Sequence, residues 1–523
     1  FVLENNTMNY ISLNKRQSYI LVCKKAMFII LLTSCILENI LFFDENSIIV
    51  SVTSLLSLII FNRVVFQLNV IRDFPISFFV LTNLFLFMYL PIPVTLLDGI
   101  SVSHDMYNPT LTYLLQFLYY VVTIFAFSCA ISNKTKIFNK TAFIYKMGFF
   151  QEITIPQLWI LGFLGCIPRL LLMIAHTEFA AGLLNTLSYL MYAPIVILFM
   201  PLIGGYEASK MNKILAYCYI GFIMFLLIGS NARHLLITPL IIFIGCYVIK
   251  YFQSDALNSV FKLKNVILTI LVLFIVSGPL SDVATAMVLV RSVRTDVSFN
   301  ELISETVTMY QDKQALDIAK KMSVDELGKS TTLSNKWDEN YTSNVFLQRF
   351  CNYRVVDASI YHALRVDMPS VQMIKASIRQ LEELPPTPIP KLLFNIDKDD
   401  PHFSAMDYLY AYSTHTAPYG MLRVGGDVGL GLSVFGVFYF IVQFLVYYLL
   451  FILLSSMAFR QNELLVVSIF AICQLMDLFN LMTVHSGLIR HISFLIWGFW
   501  YNAILLIIVT KLVKMFSFKR ESV

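Results

Sequence analysis

A chain of 523 residues with 58% hydrophobic and only 14% charged side chains, at a mean hydropathy of +0.72, lies far from soluble globular proteins, in which about 25% of residues are charged. That composition excludes a soluble globular domain and calls for an integral membrane protein, with room for about a dozen helices of roughly 20 residues and one small extramembrane region. The net charge of +5 says little by its total, whereas its distribution along the chain is informative.

In chain order, the first apolar span is expected over about Ala26 to Phe43, behind Lys15, Arg16, Lys24 and Lys25, with Met8 as the expected natural start. Basic flanks of this kind put the N-terminus in the cytoplasm. Spans two to four fall at about Ile48 to Phe61, Phe74 to Leu97 and Leu111 to Ile131, with Arg63 and Arg72 after the second and Lys134, Lys136, Lys140 and Lys146 after the fourth. Spans five and six (about Pro156 to Ala175, Ala180 to Leu202) exit toward Lys210 and Lys213. Spans seven and eight (about Ile214 to Ile228, Leu235 to Ile249) exit at Lys250, Lys262 and Lys264. A ninth, about Asn265 to Val276, opens onto a long polar excursion, and three more follow at about Leu432 to Leu454, Leu464 to Met482 and Ile492 to Leu512. The expectation is twelve spans with both termini cytoplasmic, divided as membrane domain 1–290, extracytoplasmic loop 291–429 and membrane domain 430–523.

The excursion is neither repetitive nor of low complexity. Its apolar residues recur near helical spacing among charges of both signs, which predicts short helices packed on the membrane domain. The aromatic and hydroxyl residues after Pro401 are of the kind that stack on sugars. Seven of the eight cysteines lie in or beside apolar spans; Cys351 is the one in the loop, so no disulfide framework is available there and its labelling would report the loop's side.

With every short cytoplasmic loop basic, the remaining cations need a reason. Arg169, Arg233, Arg291, Arg294, Arg423 and Arg490 fall at or near the outer boundary, where positive charge is normally depleted. In GSNARHLL, Arg233 and His234 stand at the start of span eight, and an arginine fork beside free helix N–H groups suits a diphosphate; a headgroup anchor is the bland alternative. In MLRVGGDVGLGLSVFG, four glycines allow close backbone approach to a bound group and Arg423 with Asp427 brackets the turn, against the simpler reading of a loop-to-helix junction. TVHSGLIRH offers His485, Arg490 and His491 in the last outer turn, at spacings that match no metal pattern. Among Arg349, Arg354, Arg365 and Arg379, which read mainly as solvated-face charges, Arg354 stands out for its apolar neighbours. Glu38 and Asp477 are costly carboxylates inside spans, expected to pair with Arg169 or another cation. Asp44 and Glu45 read as an acidic turn.

On about a dozen spans, the late loop, GSNARHLL and the glycine-rich re-entry GGDVGLGLSVFGVFYF, the chain resembles bacterial oligosaccharide repeat-unit polymerases of the Wzy (O-antigen polymerase) type. The resemblance implies an all-α polytopic membrane protein, GT-C-like, with one large, mostly helical periplasmic loop. It further implies a membrane glycosyltransferase of the bacterial inner membrane, working at the periplasmic face on undecaprenyl-diphosphate-linked oligosaccharide donor and acceptor. Membrane lipids and a chain-length-regulating membrane protein are the further partners it admits; nucleic acid is not one. Such a reaction needs no nucleotide, cofactor or metal, because the bond energy is already in the glycosyl diphosphate. It needs leaving-group stabilisation, for which Arg169, Arg233, Arg291, Arg294, Arg354, Arg423 and Arg490 are the candidates. It also needs a group to activate a sugar hydroxyl, for which His234, His491 and Asp427 are the candidates. A ligase transferring the glycan to lipid A core and a glycolipid flippase or transporter are the rival readings.

Overall fold

The computed structural model describes residues 2–132, 143–174, 187–228, 233–253, 278–290, 299–318, 342, 344, 347–383, 385, 389–396, 403–418, 423–461, 464–482 and 487–518. Among these the protein is all-α apart from one two-stranded hairpin, and seven helical stretches, Asp427–Ser455 counted whole, are long and apolar enough to cross a membrane, or eight if one bent pair counts as a span.

The N-terminal half is built from α1 (Val2–Leu41), α2 (Glu45–Ile60, continued by a π-helical turn Phe61–Val65), α3 (Leu68–Asp73), α4 (Pro75–Tyr89), α5 (Pro91–Leu97) and α6 (Pro109–Ser132). Asp44 and Glu45 begin α2 as cap and first turn. A proline at the first position of α4 and of α5 uses a site where the missing N–H costs nothing, and the 48° bend between the two helices falls at Leu90, just before Pro91.

Next come α7 (Ile155–Ile174) and a 3-10 helix, Ser188–Ile203. The 3-10 helix is not one straight rod: Phe199, between Pro194 and Pro201, has non-helical backbone angles (φ −131°, ψ 30°), so the stretch kinks there. The two lie unusually close because a Cβ on Gly162 would stand 2.2 Å from the Pro194 ring and one on Gly165 2.1 Å from the Met191 nitrogen. Helices α8 (Lys210–Ile228) and α9 (Arg233–Gln253) complete this part. The ninth expected span lies outside the described residues.

Helix α10 (Pro279–Leu289) comes just before the polar excursion, which contains α11 (Phe299–Gln311), α12 (Tyr353–Ala363), α13 (Val371–Glu383) and α14 (Ala405–Thr414). Helix α12 is not peripheral: Tyr353, Val355, Val356 and Ile360 belong to the same buried apolar cluster as the membrane helices. Tyr353 stacks between Phe87 of α4 and Tyr113 of α6, at 4.7 and 4.1 Å. Cys351 is fully buried against Val94, so a thiol reagent cannot report the loop's side from it; a cysteine at the exposed Leu392 is the better reporter.

The last part departs most from expectation. The expected tenth span, about Leu432 to Leu454, is two helices folded back on each other, α15 (Asp427–Phe435) and α16 (Tyr439–Ser455), reversing at Gly436, whose φ of +57° favours glycine. Asp427 and Tyr447, 20 residues apart, share a 2.7 Å hydrogen bond, whereas one unbroken helix would separate them by about 30 Å. Helix α16 runs parallel to α6, since Gln443 meets Tyr119 and Phe451 meets Phe127. The expected eleventh span, Leu464 to Met482, is likewise no single helix. It begins as strand β2 (Leu464–Val467), paired antiparallel with β1 (Ala458–Gln461), and continues as α17 (Ile469–Cys473) and α18 (Leu475–Phe479). Protein surrounds most of this stretch, and that burial tolerates a backbone that lipid would not. The chain closes with α19 (Gly487–Ser493), a π-helical turn Phe494–Gly498 and α20 (Phe499–Phe518).

Candidate functional site

The site is assembled by α12. Its Asp357 accepts from the backbone N–H groups of Tyr107 and Asn108 (2.9 Å for the latter) and from Thr112 Oγ1 (2.8 Å), so a carboxylate from the excursion caps the N-terminus of α6. Arg354, one turn earlier, donates to the His104 carbonyl at 3.3 Å and faces Asp105 at 3.6 Å. From the other side Glu38 accepts from Ser101 Oγ (2.8 Å) and Val102 N (3.0 Å). The loop between α5 and α6 is thus clamped by three charged residues, Asp357, Arg354 and Glu38, and two of them differ from expectation: Glu38 binds a loop instead of a cation, and Arg354 binds protein instead of standing at a solvated surface.

Helix α12 in turn positions α15. Gly426 N donates to Ser359 Oγ at 3.1 Å, and a Cβ on Gly429 would lie 2.5 Å from the Ser359 carbonyl carbon. Gly425 and Gly431 are closed off by Met406 and the Tyr439 ring. The glycines therefore serve helix packing, where the sequence reading assigned them to a bound group.

Asp427 is set by this packing at the first turn of α15, 5% exposed. Its Oδ2 accepts from Tyr119 (2.9 Å) and Tyr447 (2.7 Å), whose hydroxyls are 2.7 Å apart. His491 of α19, wholly buried, places Nδ1 3.6 Å from the same oxygen. Its Nε2 lies 2.5 Å from the Leu481 carbonyl, which can only accept, so Nε2 carries a proton and Nδ1 is left toward the carboxylate. At 3.6 Å the two groups form a close charge pair when the imidazole is protonated, without a direct hydrogen bond between them. Among the described residues Asp427 Oδ1 has no hydrogen-bond partner. A buried carboxylate oxygen without a partner, next to a histidine, has the chemistry to take a proton from a hydroxyl brought to it.

Further cations stand near the dyad. Arg490, exposed, lies within electrostatic reach of both His491 and Asp477 of α18. Asp477 is itself exposed. Asp477 and Arg169 of α7 both act on the hydroxyl of Tyr192, which hydrogen-bonds Thr238 of α9. Arg169 is 7% exposed, and among the described residues its Nε has no hydrogen-bond partner. Five elements thus converge on Arg169, Tyr192, Thr238, Asp477 and Arg490. Thr238 stands about one turn from the start of α9, where Arg233 and His234 lie; their side chains fall outside the described residues, as do Arg291, Arg294 and His485.

Arg423 is not in this group. It pairs with Asp407 at 3.0 Å, both side chains buried, and its guanidinium lies 4.0 Å over the Tyr410 ring. Asp407 is also fixed by the capping box it forms with Ser404. Arg423 thus ties α14 to the turn before α15. His362 of α12 joins the same layer through Ser413 at 2.7 Å, and burial, with Arg365 and Arg423 nearby, pushes its pKa down to about 4. Between that value and the ordinary 6.5 the unfolded chain binds a proton that the folded one refuses. Stability is therefore expected to fall as pH drops from about 6.5 to about 4, by up to about 3 kcal/mol, and to level off below. Thermal unfolding of wild type and His362→Gln across that window checks this, the variant giving the flatter profile.

Sequence reading singled out Asp427, His491, Arg169 and Arg490 but missed Tyr119, Tyr447, Tyr192 and Thr238. The available signal was a polar atom inside an apolar run, which must find a partner within the protein. Among the described residues no group of three or more His, Cys, Asp or Glu is arranged to hold a metal. Comparison with protein-family models, with curated proteins and with solved structures gives no match.

Proposed function

We propose that this protein is a membrane glycosyltransferase that joins oligosaccharide repeat units, carried on undecaprenyl diphosphate, into a long polysaccharide, as the Wzy-type polymerases it resembles do. The observation that carries this reading is the half-satisfied carboxylate of Asp427, paired with His491 and flanked by Arg490. In the proposed step an acceptor sugar hydroxyl gives its proton to Asp427 Oδ1 while its oxygen bonds the anomeric carbon of the donor. The bond from that carbon to the diphosphate breaks, and the electron pair leaves with undecaprenyl diphosphate, whose charge Arg490 and Arg169 offset. A single displacement of this kind inverts the anomeric centre. The twelve-crossing, GT-C-like arrangement belongs to the same proposal, with the basic face cytoplasmic, the excursion periplasmic and the bacterial inner membrane as location. The 3-10 helix and the broken Leu464–Met482 stretch would then count as crossings.

One observation favours a second reading. Re-entrant and interrupted helices around a buried Asp–His pair also suit a proton-coupled transporter of the same glycolipid. The test is incubation of the purified protein in lipid nanodiscs with purified lipid-linked repeat units. A ladder of products with release of undecaprenyl diphosphate is expected. Arg490→Ala should slow it about 100-fold without moving the unfolding midpoint, because that side chain is exposed. Transfer of one unit to a different acceptor would make the protein a ligase, and no covalent change would leave the transporter.

A further inference from the structure

At the opposite end of the helices from Asp427 an open cleft of about 380 Å³ separates the start of the first apolar span from α3. It is lined by the apolar Ile20, Leu21 and Leu68, the polar Gln67 and Asn69, and the cationic Lys24 and Arg72. Lys24 Nζ donates one hydrogen to the Asn62 carbonyl at 2.6 Å, leaving two N–H donors on the ammonium. Arg72 touches Asp73 through Nε at 3.4 Å, and Asp73 also takes Arg460 of β1 at 3.1 Å. Asp73 is buried and is shared by Arg72 and Arg460 alone, so among the described residues two of the three positive charges of Lys24, Arg72 and Arg460 have no carboxylate of their own. Leu21 beside the cleft is exposed, as are many apolar residues of α1 farther along, so the cleft opens sideways onto acyl chains. This pairing of an apolar lining with two unbalanced cations at a helix end matches neither a soluble anion, which has no use for the apolar lining, nor a neutral lipid, which has no use for the charge.

We propose that this cleft binds an anionic phospholipid of the leaflet it faces. The lipid's phosphate lies between Lys24 and Arg72, and an acyl chain lies along Ile20, Leu21 and Leu68. A two-phosphate lipid such as cardiolipin meets both uncompensated charges. The site is independent of the proposed glycosyl transfer, sharing no residue with it.

The experiment uses the full chain, purified in detergent and returned to phosphatidylcholine nanodiscs with or without cardiolipin, with lipid retained after washing counted by mass spectrometry. The wild type should retain about tenfold more cardiolipin than Lys24→Gln/Arg72→Gln, and Lys146→Gln, an exposed lysine outside the cleft, should behave as wild type. Lys24→Arg/Arg72→Lys keeps both charges and should retain the lipid, so a neutral double variant that fails to fold does not decide the matter: Lys24→Gln alone, at about threefold, then does. Equal retention in wild type and neutralised variants overturns the proposal. Displacement of the lipid by millimolar inorganic phosphate overturns it too, since the cleft would then be a plain phosphate site.

Discussion

Asp427→Asn should reduce polymer formation about 1,000-fold while leaving the protein folded, with an unfolding midpoint close to wild type. The substitution keeps the shape of the side chain and an oxygen for the Tyr119 and Tyr447 hydroxyls, but removes the negative charge that His491 faces and the only basic atom in the hydroxyl ring. Loss of a positioned general base costs roughly 100- to 10,000-fold, and an amide has no affinity for a proton at neutral pH. The measurement is the rate of product appearance from lipid-linked repeat units, with donor binding measured separately. Binding should persist, because Arg490 and Arg169 are untouched. An Asp427→Asn protein that polymerises at the wild-type rate would falsify the assignment of the base, whatever the fate of the wider proposal.

Gly429→Ala is the second large effect, and it acts on the fold. The added methyl would stand 2.5 Å from the Ser359 carbonyl carbon and 2.6 Å from its oxygen, both backbone atoms that cannot rotate away. Helix α15 must then shift off α12, at about 3 kcal/mol for overpacking of a buried contact. Because Asp427 is only two residues before Gly429 on the same short helix, the shift also draws its carboxylate away from Tyr119, Tyr447 and His491. Unfolding midpoint and activity should therefore fall together, in contrast to Asp427→Asn, in which activity falls alone. If Gly429→Ala kept a wild-type midpoint and lost only activity, the glycine would line a ligand site, as the sequence reading held, and would not be a helix contact.

What the sequence determined by itself is what composition and local pattern can carry. Twenty-residue apolar runs have no stable place but a membrane, which gave an all-α membrane protein, and the scarcity of charge in those runs made Glu38, Arg169 and Asp477 conspicuous. What only the tertiary structure decided is which of these residues meet. Asp427 and His491 are 64 positions apart, and they come together because α15 turns back at Gly436, an event that hydropathy cannot register since both arms are equally apolar. For the same reason the stretch from Leu464 to Met482 read as one helix: hydropathy measures transfer of side chains and is blind to the backbone, which breaks there under the cover of neighbouring helices. Arg354 and Arg423 looked like free cations because a salt bridge depends on a partner brought by another segment. Arginine at an outer boundary is legible in one dimension; whether it is spent on an aspartate of its own chain or left for a ligand is settled only when the chain has closed around it.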